Sequence, residues 1–279
     1  VREKSAYDPV RSITAYIWDG RSEAVVVRSN GHSVATQGTS YGHAATVSLA
    51  DTDGRLPEAW SSVQVRHRSD MPSTTGVAED VLERARARLG SGPAPSGRYA
   101  LLLDCRAVSR LVGVMLGPLG GTSIFEKRSC MADKLHTKIA ASNFQLWDDP
   151  LIVRGLSSRP CDGDGLPARR RSIVEDGVLQ TFLINVYNSR RLGVPVTTGG
   201  TSNMVIPPGP DSPAALAAGA GPTLHVVGFL GGNSNASTGD FSFGVHGALL
   251  RPGEAPQPVS EMNVAGNIFE LLDRFEAAA

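Results

Sequence analysis

The sequence predicts an α+β fold in which largely antiparallel β-sheets pack against a few helices. Apolar and polar residues alternate between Ser12 and Val65, a hairpin signature stands at Asp176-Gly177, and only a few segments repeat apolar residues at helical spacing. With 279 residues, 41% of them hydrophobic, the chain can bury a substantial core. Lys plus Arg equals Asp plus Glu at 27 each, so composition gives no support to nucleic-acid or acidic-membrane binding.

Residues 1–96 are predicted to form one domain, an antiparallel β meander followed by a helix. The dipeptides Asp19-Gly20, Asn30-Gly31 and Asp53-Gly54 are expected to turn the chain between strands. Val77 to Leu89 places its apolar residues on one helical face, and Gly90 ends that helix. The predicted strands are Ile13–Trp18, Ala24–Arg28, Ser33–Thr36, Ala45–Leu49 and Ser62–Arg66.

Residues 97–279 are predicted to form a second α+β domain, after a linker rich in Gly, Pro and Ser. The clearest element is a hairpin, because Ser172–Glu175 and Val178–Ile184 flank Asp176-Gly177, a dipeptide that tolerates the positive φ of a primed turn. The other predicted strands are Tyr99–Leu103, Phe144–Trp147, Thr223–Leu230 and Phe241–Leu250, and the predicted helices are Arg106–Leu116, Cys130–Ala140, Tyr187–Gly193 and Asn267–Ala277.

The three cysteines indicate a reducing compartment. Cys105, Cys130 and Cys161 form neither a CxxC motif nor a paired framework, and no signal-type or membrane-spanning apolar segment is present, which predicts a cytoplasmic protein. The chain begins at Val1 rather than Met, and we leave open whether its N-terminus is truncated or processed.

Two motifs that suggest chemistry fail on their context. Asp162-Gly-Asp-Gly165 resembles the start of a calcium loop, but Pro167 stands at the position of the turn glycine and Ile173 at that of the bidentate acid, so an Asp/Gly turn is favoured. The basic triplet Arg169–Arg171 is interpreted as a solvated hairpin entry. Gly38–Gly42 matches a nucleophile elbow, yet the chain continues as a strand, which favours a hairpin loop instead.

The segment Gly231–Asp240 is the best candidate for a binding site. It is rich in glycine and amides between two strong strands, a composition that suits close approach to an extended peptide backbone. The candidate substrate-binding residues are Gly231, Gly232, Asn233, Thr238 and Asp240. The six histidines offer neither HExxH nor HExxxH, and we assign no catalytic and no metal-binding residue.

From Ser12 to Phe275 the chain resembles the TldD/PmbA family, whose members were historically labelled modulators of DNA gyrase. The likeness is implied by several motifs together, none of which is specific alone. They are Lys127–Leu135, Leu146–Pro150, Asp162–Arg171, Ile173–Leu179, Thr238–Ser242 and Pro258–Ile268. Family members usually carry an additional α/β domain before the point that matches Ser12, and that domain is expected to be absent here.

The resemblance implies a division of labour between two kinds of subunit. TldD-type chains carry zinc on an HExxxH helix and a later cysteine, whereas PmbA or TldE chains lack these groups and pair with a TldD chain. The HExxxH window falls here on Asp104–Ser109, and no late cysteine precedes Ala279. The chain is therefore similar to the second kind, with zinc expected in a partner subunit. The partner is expected to be a TldD-type chain in a heterodimer, or a second copy in a homodimer.

Three functions follow as hypotheses. The first is a non-catalytic PmbA/TldE-like subunit of a zinc metallopeptidase, which shapes the cleft for unfolded or modified peptides, including those of natural-product maturation. The alternative is a divergent stand-alone amidase or peptide-modifying enzyme that uses Asp104, Cys105 or His136. A regulator bound to gyrase is a third hypothesis, which the neutral charge disfavours.

Overall fold

The computed structural model describes residues 10–29, 31–52, 54–219 and 221–279, and the chain divides into two compact units. The first unit comprises Val1–Gly92 and Ile152–Ser158, and the second comprises Pro93–Leu151 and Arg159–Ala279. The sequence-based division into residues 1–96 and 97–279 stays a prediction. Asn30 and Asp53, which belong to two of the predicted turns, lie outside the described residues.

The first unit is a three-stranded antiparallel sheet with a helix against one face. The strands β1 (Val10–Val27), β2 (Ser33–Leu49) and β3 (Glu58–Val65) are neighbours in that order, and α1 (Thr74–Arg86) follows them. Removing apolar side chains from water between the sheet and the helix stabilises the unit. The buried residues are Ala45, Val47, Leu49 and Ala59 of the sheet and Val77, Val81, Leu82 and Ala85 of the helix.

The turn predicted at Asp19-Gly20 is wrong, because β1 continues through it. Asp19 pairs with Tyr41 and Gly20 pairs with Ser40, so the ladder with β2 overrides the turn propensity of the dipeptide. The hairpin loop expected at Gly38–Gly42 is wrong for the same reason, since that segment lies within β2.

The second unit contains two four-stranded sheets. The larger one has the order β11-β10-β9-β4, in which only β4 and β9 are parallel, and the smaller one has the antiparallel order β7-β6-β5-β8. This confirms the predicted α+β class with largely antiparallel sheets. The strands are β4 (Ala100–Leu103), β5 (Leu146–Asp148), β6 (Arg171–Glu175), β7 (Val178–Leu179), β8 (Met204–Val205), β9 (Thr223–Ser234), β10 (Asp240–Leu250) and β11 (Gln257–Asn267).

The helices of the second unit are α2 (Cys105–Leu116), α3 (Gly121–Phe125), α4 (Val186–Leu192), α5 (Pro213–Gly219) and α6 (Ile268–Asp273). The Asp104 side chain caps α2 by accepting the Arg106 amide at 2.9 Å, and the helix buries Leu111 and Met115 in the core. In the part of the chain that the structure describes, no helix is long and apolar enough to cross a membrane.

The helix predicted for Cys130–Ala140 is wrong. The segment forms turns along the β6–β7 hairpin, and His136 has a φ of 59°, which a right-handed helix cannot contain. The His136 amide donates to the Leu179 carbonyl at 2.8 Å, and the Ile139 amide donates to the Gly177 carbonyl at 2.8 Å. Contacts with the hairpin therefore take the place of helical hydrogen bonds.

The hairpin predicted at Asp176-Gly177 is confirmed. Both residues have positive φ, 50° and 77°, as a primed turn requires. The second strand stops at Leu179 rather than at Ile184. Beyond it the Leu183 amide donates to the Leu119 carbonyl at 2.9 Å and the Ile184 amide donates to the Thr197 hydroxyl at 2.8 Å, both outside the sheet.

Candidate functional site

The glycine-rich segment chosen from the sequence is mostly strand. β9 runs through Gly231, Gly232 and Asn233 to Ser234, and β10 begins at Asp240, so only residues 235–239 turn the chain. The predicted loop from Gly231 to Asp240 is therefore wrong in its extent.

Gly231 and Gly232 form a β-bulge opposite Phe243. Their φ values are 65° and 90°, and the register of β9 against β10 shifts at this point. A Cβ on Gly232 would lie 2.7 Å from the Phe243 Cα atom, so a larger residue does not fit. The bulge leaves the main chain at Gly231 without a covering side chain.

Thr238 and Asp240 are engaged within the protein at the other end of the segment. The Thr238 hydroxyl donates to Asp240 Oδ2 at 2.6 Å, and the Asn267 amide donates to Asp240 Oδ1 and to the Thr238 carbonyl, both at 2.9 Å. The hydrogen bonds from Thr238 and Asn267 lower the pKa of Asp240. These two exposed residues tie the turn to the start of α6, so their polar groups already have partners within the protein.

A small recess lies beside the bulge. It measures about 230 Å³ and is lined by Arg106, Ala107 and Arg110 of α2 together with Phe229 and Gly231. Arg110 Nη2 donates to the Gly232 carbonyl at 3.4 Å. Its guanidinium carbon lies 4.6 Å from the centre of the Phe243 ring. The two arginines stand one helical turn apart and give this end of the site a positive charge, which the sequence reasoning did not identify.

A large groove with mainly apolar lining also belongs to the second unit. Its volume is about 1780 Å³, larger than the several hundred Å³ typical of a small-molecule site. Residues from Leu101 to Leu116 contribute from β4 and α2, residues 261–267 contribute from β11, and residues 274–279 contribute from the end of the chain. A groove of this volume has room for a peptide segment.

The three residues of the amidase hypothesis are only partly brought together. Asp104 and Cys105 both line the groove, where the Cys105 Sγ atom lies 3.7 Å from Asp104 Oδ1. His136 is not among the lining residues and is held in a turn beside the β6–β7 hairpin. The structure thus does not bring His136 to Asp104 and Cys105, as the amidase hypothesis requires.

The window where the resemblance implies zinc ligands in TldD-type chains does not fit a zinc ion in this chain, for which zinc was expected only in a partner subunit. At the window from Asp104 to Ser109, the Asp104 carboxylate is already the cap of α2, and Cys105 is the only thiol. Within residues 10–29, 31–52, 54–219 and 221–279, no three His, Cys, Asp or Glu side chains are grouped as a metal site requires.

In the segment that resembled a calcium loop, the Asp162 carboxylate joins its own turn to the loop that contains Gly199. Asp162 Oδ1 accepts the amides of Asp164 and Leu166 at 2.9 and 3.0 Å, and Oδ2 accepts the Gly199 amide at 2.6 Å. Burial acts to raise the pKa of Asp162, but these amides and the charge of Arg159 hold the pKa below its usual range. The Asp162 carboxylate therefore accepts hydrogen bonds from three main-chain amides of this chain.

Replacing Asp162 with Asn is expected to lower the free energy of unfolding at neutral pH by about 1–3 kcal/mol, because the amides lose a charged acceptor. A depressed folded-state pKa contributes stability that is present above the unfolded value of about 4 and is lost as pH falls through the folded value. Urea unfolding from pH 7 to pH 3 should thus show the variant and the native chain converging at low pH. Asp133→Asn, at an exposed position, is the control, and an equal loss at all pH values would contradict the prediction.

One residue of the basic triplet is not solvated. Arg171 Nη1 lies 3.1 Å from Oδ2 of the fully buried Asp148, and Arg171 Nη2 donates to the Thr197 carbonyl at 3.1 Å. Asp148 Oδ1 also accepts the Ser202 amide at 2.7 Å. The predicted solvated hairpin entry is wrong for Arg171, because its charge neutralises a buried carboxylate.

Comparison with known proteins gives a consistent result. Residues 96–279 match the family model of the PmbA/TldA metallopeptidase C-terminal domain. The chain is 28% identical to the metalloprotease PmbA of Escherichia coli O157:H7 over 250 residues, which is 88% of this chain and 56% of that protein. A crystal structure from Bacteroides thetaiotaomicron, described as a candidate modulator of DNA gyrase, has 34% identity and a TM-score of 0.94 over 98% of this chain and 62% of its own.

The fold and the matched domain place the chain in a family whose model is named for metallopeptidases. More particularly, the chain belongs to the PmbA/TldD family, which confirms the resemblance seen in the sequence. TldE from Thermococcus kodakarensis shares the fold, with a TM-score of 0.81 at 21% identity over 93% of this chain and 61% of that one. The chain spans somewhat more than half the length of the E. coli relative that it matches.

Proposed function

We propose that this chain is a non-catalytic PmbA/TldE-type subunit that shapes the peptide cleft of a cytoplasmic, TldD-type zinc metallopeptidase. The observation that carries the proposal is the groove of about 1780 Å³, which runs past the Asp104–Ser109 window without a set of metal-binding side chains. A metallopeptidase-family chain with a peptide-sized groove and no group of metal-binding side chains among its described residues suits a partner role.

The groove offers main-chain groups to an extended peptide. β11 is the last strand of its sheet, and its residues 262–267 line the groove. A last strand presents unpaired N–H and C=O groups at every second residue, which bind a peptide irrespective of its side chains. Such recognition suits unfolded or modified peptides, including those of natural-product maturation.

Co-expression with a TldD-type chain tests the proposal. The purified complex is expected to contain zinc and to cleave an unfolded peptide, whereas this chain alone is expected to bind no stoichiometric zinc and to cleave nothing. Zinc content by atomic spectroscopy and peptide cleavage by mass spectrometry are the measurements. Stoichiometric zinc and cleavage by the isolated chain would overturn the proposal.

A variant within the complex tests whether this chain contacts the peptide. Arg110→Gln removes a guanidinium beside the glycine bulge, and we expect KM to rise roughly three- to tenfold, with kcat and zinc content unchanged. Arg190→Gln is the matched control, because Arg190 is exposed on α4 and lines neither the recess nor the groove. Equal KM values for the two variants would show that the recess does not contact the peptide.

A further inference from the structure

The recess beside the glycine bulge lies where the larger sheet leaves one side of β9 uncovered. β4 pairs with β9 only from Thr223 to Val226, and in the described chain no strand continues that pairing toward Ser234. The helix α2 lies beside β9 there instead, and Arg110 Nη2 of the helix donates to the Gly232 carbonyl. The recess of about 230 Å³ is therefore bounded by a helix and by the side of a strand that β4 does not reach.

The main chain is open to the recess at Gly231. This residue is exposed and has a φ of 65°, and a Cβ added to it would meet no atom within 4 Å. A β-bulge leaves one residue outside the hydrogen-bonded ladder, and main-chain groups at such positions bind the polar groups of an incoming chain. The bulge therefore supplies both space and main-chain groups to a ligand in the recess.

The lining of the recess is positively charged on one side and apolar on the other. Arg106 and Arg110 stand one helical turn apart at exposed positions of α2, and none of the described residues that line the recess is acidic. Phe229 and Ala107 supply the apolar surface. Two guanidinium groups at this spacing can donate to one carboxylate, and such charge-assisted hydrogen bonds are about twice as strong as neutral ones.

Arg110 is oriented before any ligand binds. Its guanidinium carbon lies 4.6 Å from the centre of the Phe243 ring, and its Nη2 atom lies 3.4 Å from the Gly232 carbonyl oxygen. The second distance is longer than the usual N–H···O distance of about 2.9–3.0 Å, so a charged acceptor can replace this weak hydrogen bond. Because the ring holds the guanidinium plane, little freedom is lost when the group binds an anion.

We propose that the recess binds a carboxylate of the peptide, which Arg106 and Arg110 hold while the adjoining carbon atoms contact Phe229. The volume is below the roughly 300–1,000 Å³ of a typical small-molecule site, so it suits one side chain or one chain end rather than a longer segment. The carboxylate is the C-terminal group or the side chain of an acidic residue. This selectivity rests on the proposed function only in taking a peptide as the ligand.

Four dye-labelled peptides of about six residues test the site on the isolated full chain, without partner, zinc or cleavage. One has a free C-terminal carboxylate and no acidic side chain, and the second is its amide. The third and fourth are amides with one internal Glu or one internal Gln. By fluorescence anisotropy we expect the acidic member of at least one pair to bind at least about fivefold more tightly than its neutral counterpart.

The pair that shows the preference identifies the source of the carboxylate. Preference for the free acid over the amide assigns the recess to the chain end, and preference for Glu over Gln assigns it to a side chain. Equal Kd values within both pairs, or no binding of any of the four peptides, would overturn the proposal. This comparison uses the native chain, so it does not depend on the folding of a variant.

Substitutions separate the recess from general attraction between opposite charges. Arg106→Gln and Arg110→Gln are each expected to reduce the preference to less than about twofold, whereas Arg190→Gln, which removes an arginine that does not line the recess, is expected to keep it. Circular dichroism checks that the three variants fold. An equal reduction in all three would show that the preference follows net charge, and it would overturn the proposed site.

The outcome is distinguishable from that of the peptidase proposal. An isolated chain that prefers carboxylates but forms no zinc-containing, peptide-cleaving complex with a TldD-type chain would keep the recess as a carboxylate site and lose the partner role. A complex that cleaves acid and amide peptides with the same KM, formed from a chain without carboxylate preference, would keep the partner role and lose the carboxylate site.

Discussion

Replacing Arg171 with Met is expected to lower the free energy of unfolding by about 3–5 kcal/mol. Asp148 is fully buried, and Arg171 supplies the opposite charge to one of its oxygens at 3.1 Å. Methionine fills much of the space but leaves that carboxylate without a cation in a region of low dielectric constant. Urea denaturation at pH 7 measures the loss.

The neighbouring Arg170 provides a matched control. Its side chain is 52% exposed, lies 3.8 Å from Asp149 and stacks on Trp147, so Arg170→Met is expected to cost no more than about 1 kcal/mol. Adding Asp148→Asn to the Arg171→Met variant should recover part of the loss, because a neutral amide costs less to bury than an unpaired carboxylate. Equal losses for the two single arginine variants would show that the buried ion pair contributes little.

The roles of Arg170 and Arg171 illustrate what a local pattern can and cannot predict. Alternation along an extended chain predicts that two consecutive arginines point to opposite faces, so they need not share one environment. The acidic partner of Arg171 lies 23 residues earlier on β5, and no periodicity links the two positions. The pairing arises from the register of β5 with β6, which a single sequence does not specify.

β11 was missed because it breaks the alternation that reveals strands. Glu261 has a φ of 56°, and the register against β10 shifts between Val245 and Gly247. The bulge adds one residue to β11, so inward-facing residues fall on odd numbers on one side of it and on even numbers on the other. The apolar residues therefore do not follow a single two-residue period along the strand. Hairpins with regular alternation and a strong turn dipeptide, such as that at Asp176-Gly177, lack this problem and were predicted correctly.

The candidate site shows the same division between local and long-range information. The helix that carries Arg106 and Arg110 was predicted from its own residues, and so was the abundance of glycine in the segment that begins at Gly231. The helix and the glycine segment come together at one recess through a contact between Arg110 and Gly232, which are 122 positions apart in the chain. The sequence therefore identified the glycine segment but could not add the arginines to it.

Replacing Gly177 with Ala is expected to lower the free energy of unfolding by about 2–4 kcal/mol. Gly177 has a φ of 77°, where an alanine costs roughly 1–2 kcal/mol of backbone strain. In addition, a Cβ at this position would lie 2.6 Å from the Ala141 carbonyl oxygen and would also collide with that of Ala140. Both obstacles are main-chain atoms of the segment that docks on the hairpin, so relief requires a backbone shift rather than a rotamer change.

The variant Gly253→Ala separates the cost of backbone strain from the cost of the steric collision. Its φ is 76°, almost the same as that of Gly177, but a Cβ there would meet no atom within 4 Å. Gly253→Ala should thus show only the backbone strain, and the difference between the two variants in thermal or urea unfolding measures the steric cost of separating residues 140 and 141 from the hairpin. A larger loss for Gly253→Ala than for Gly177→Ala would contradict the close packing of this segment on the hairpin. The expected order follows because the two glycines share a conformation and differ in their surroundings.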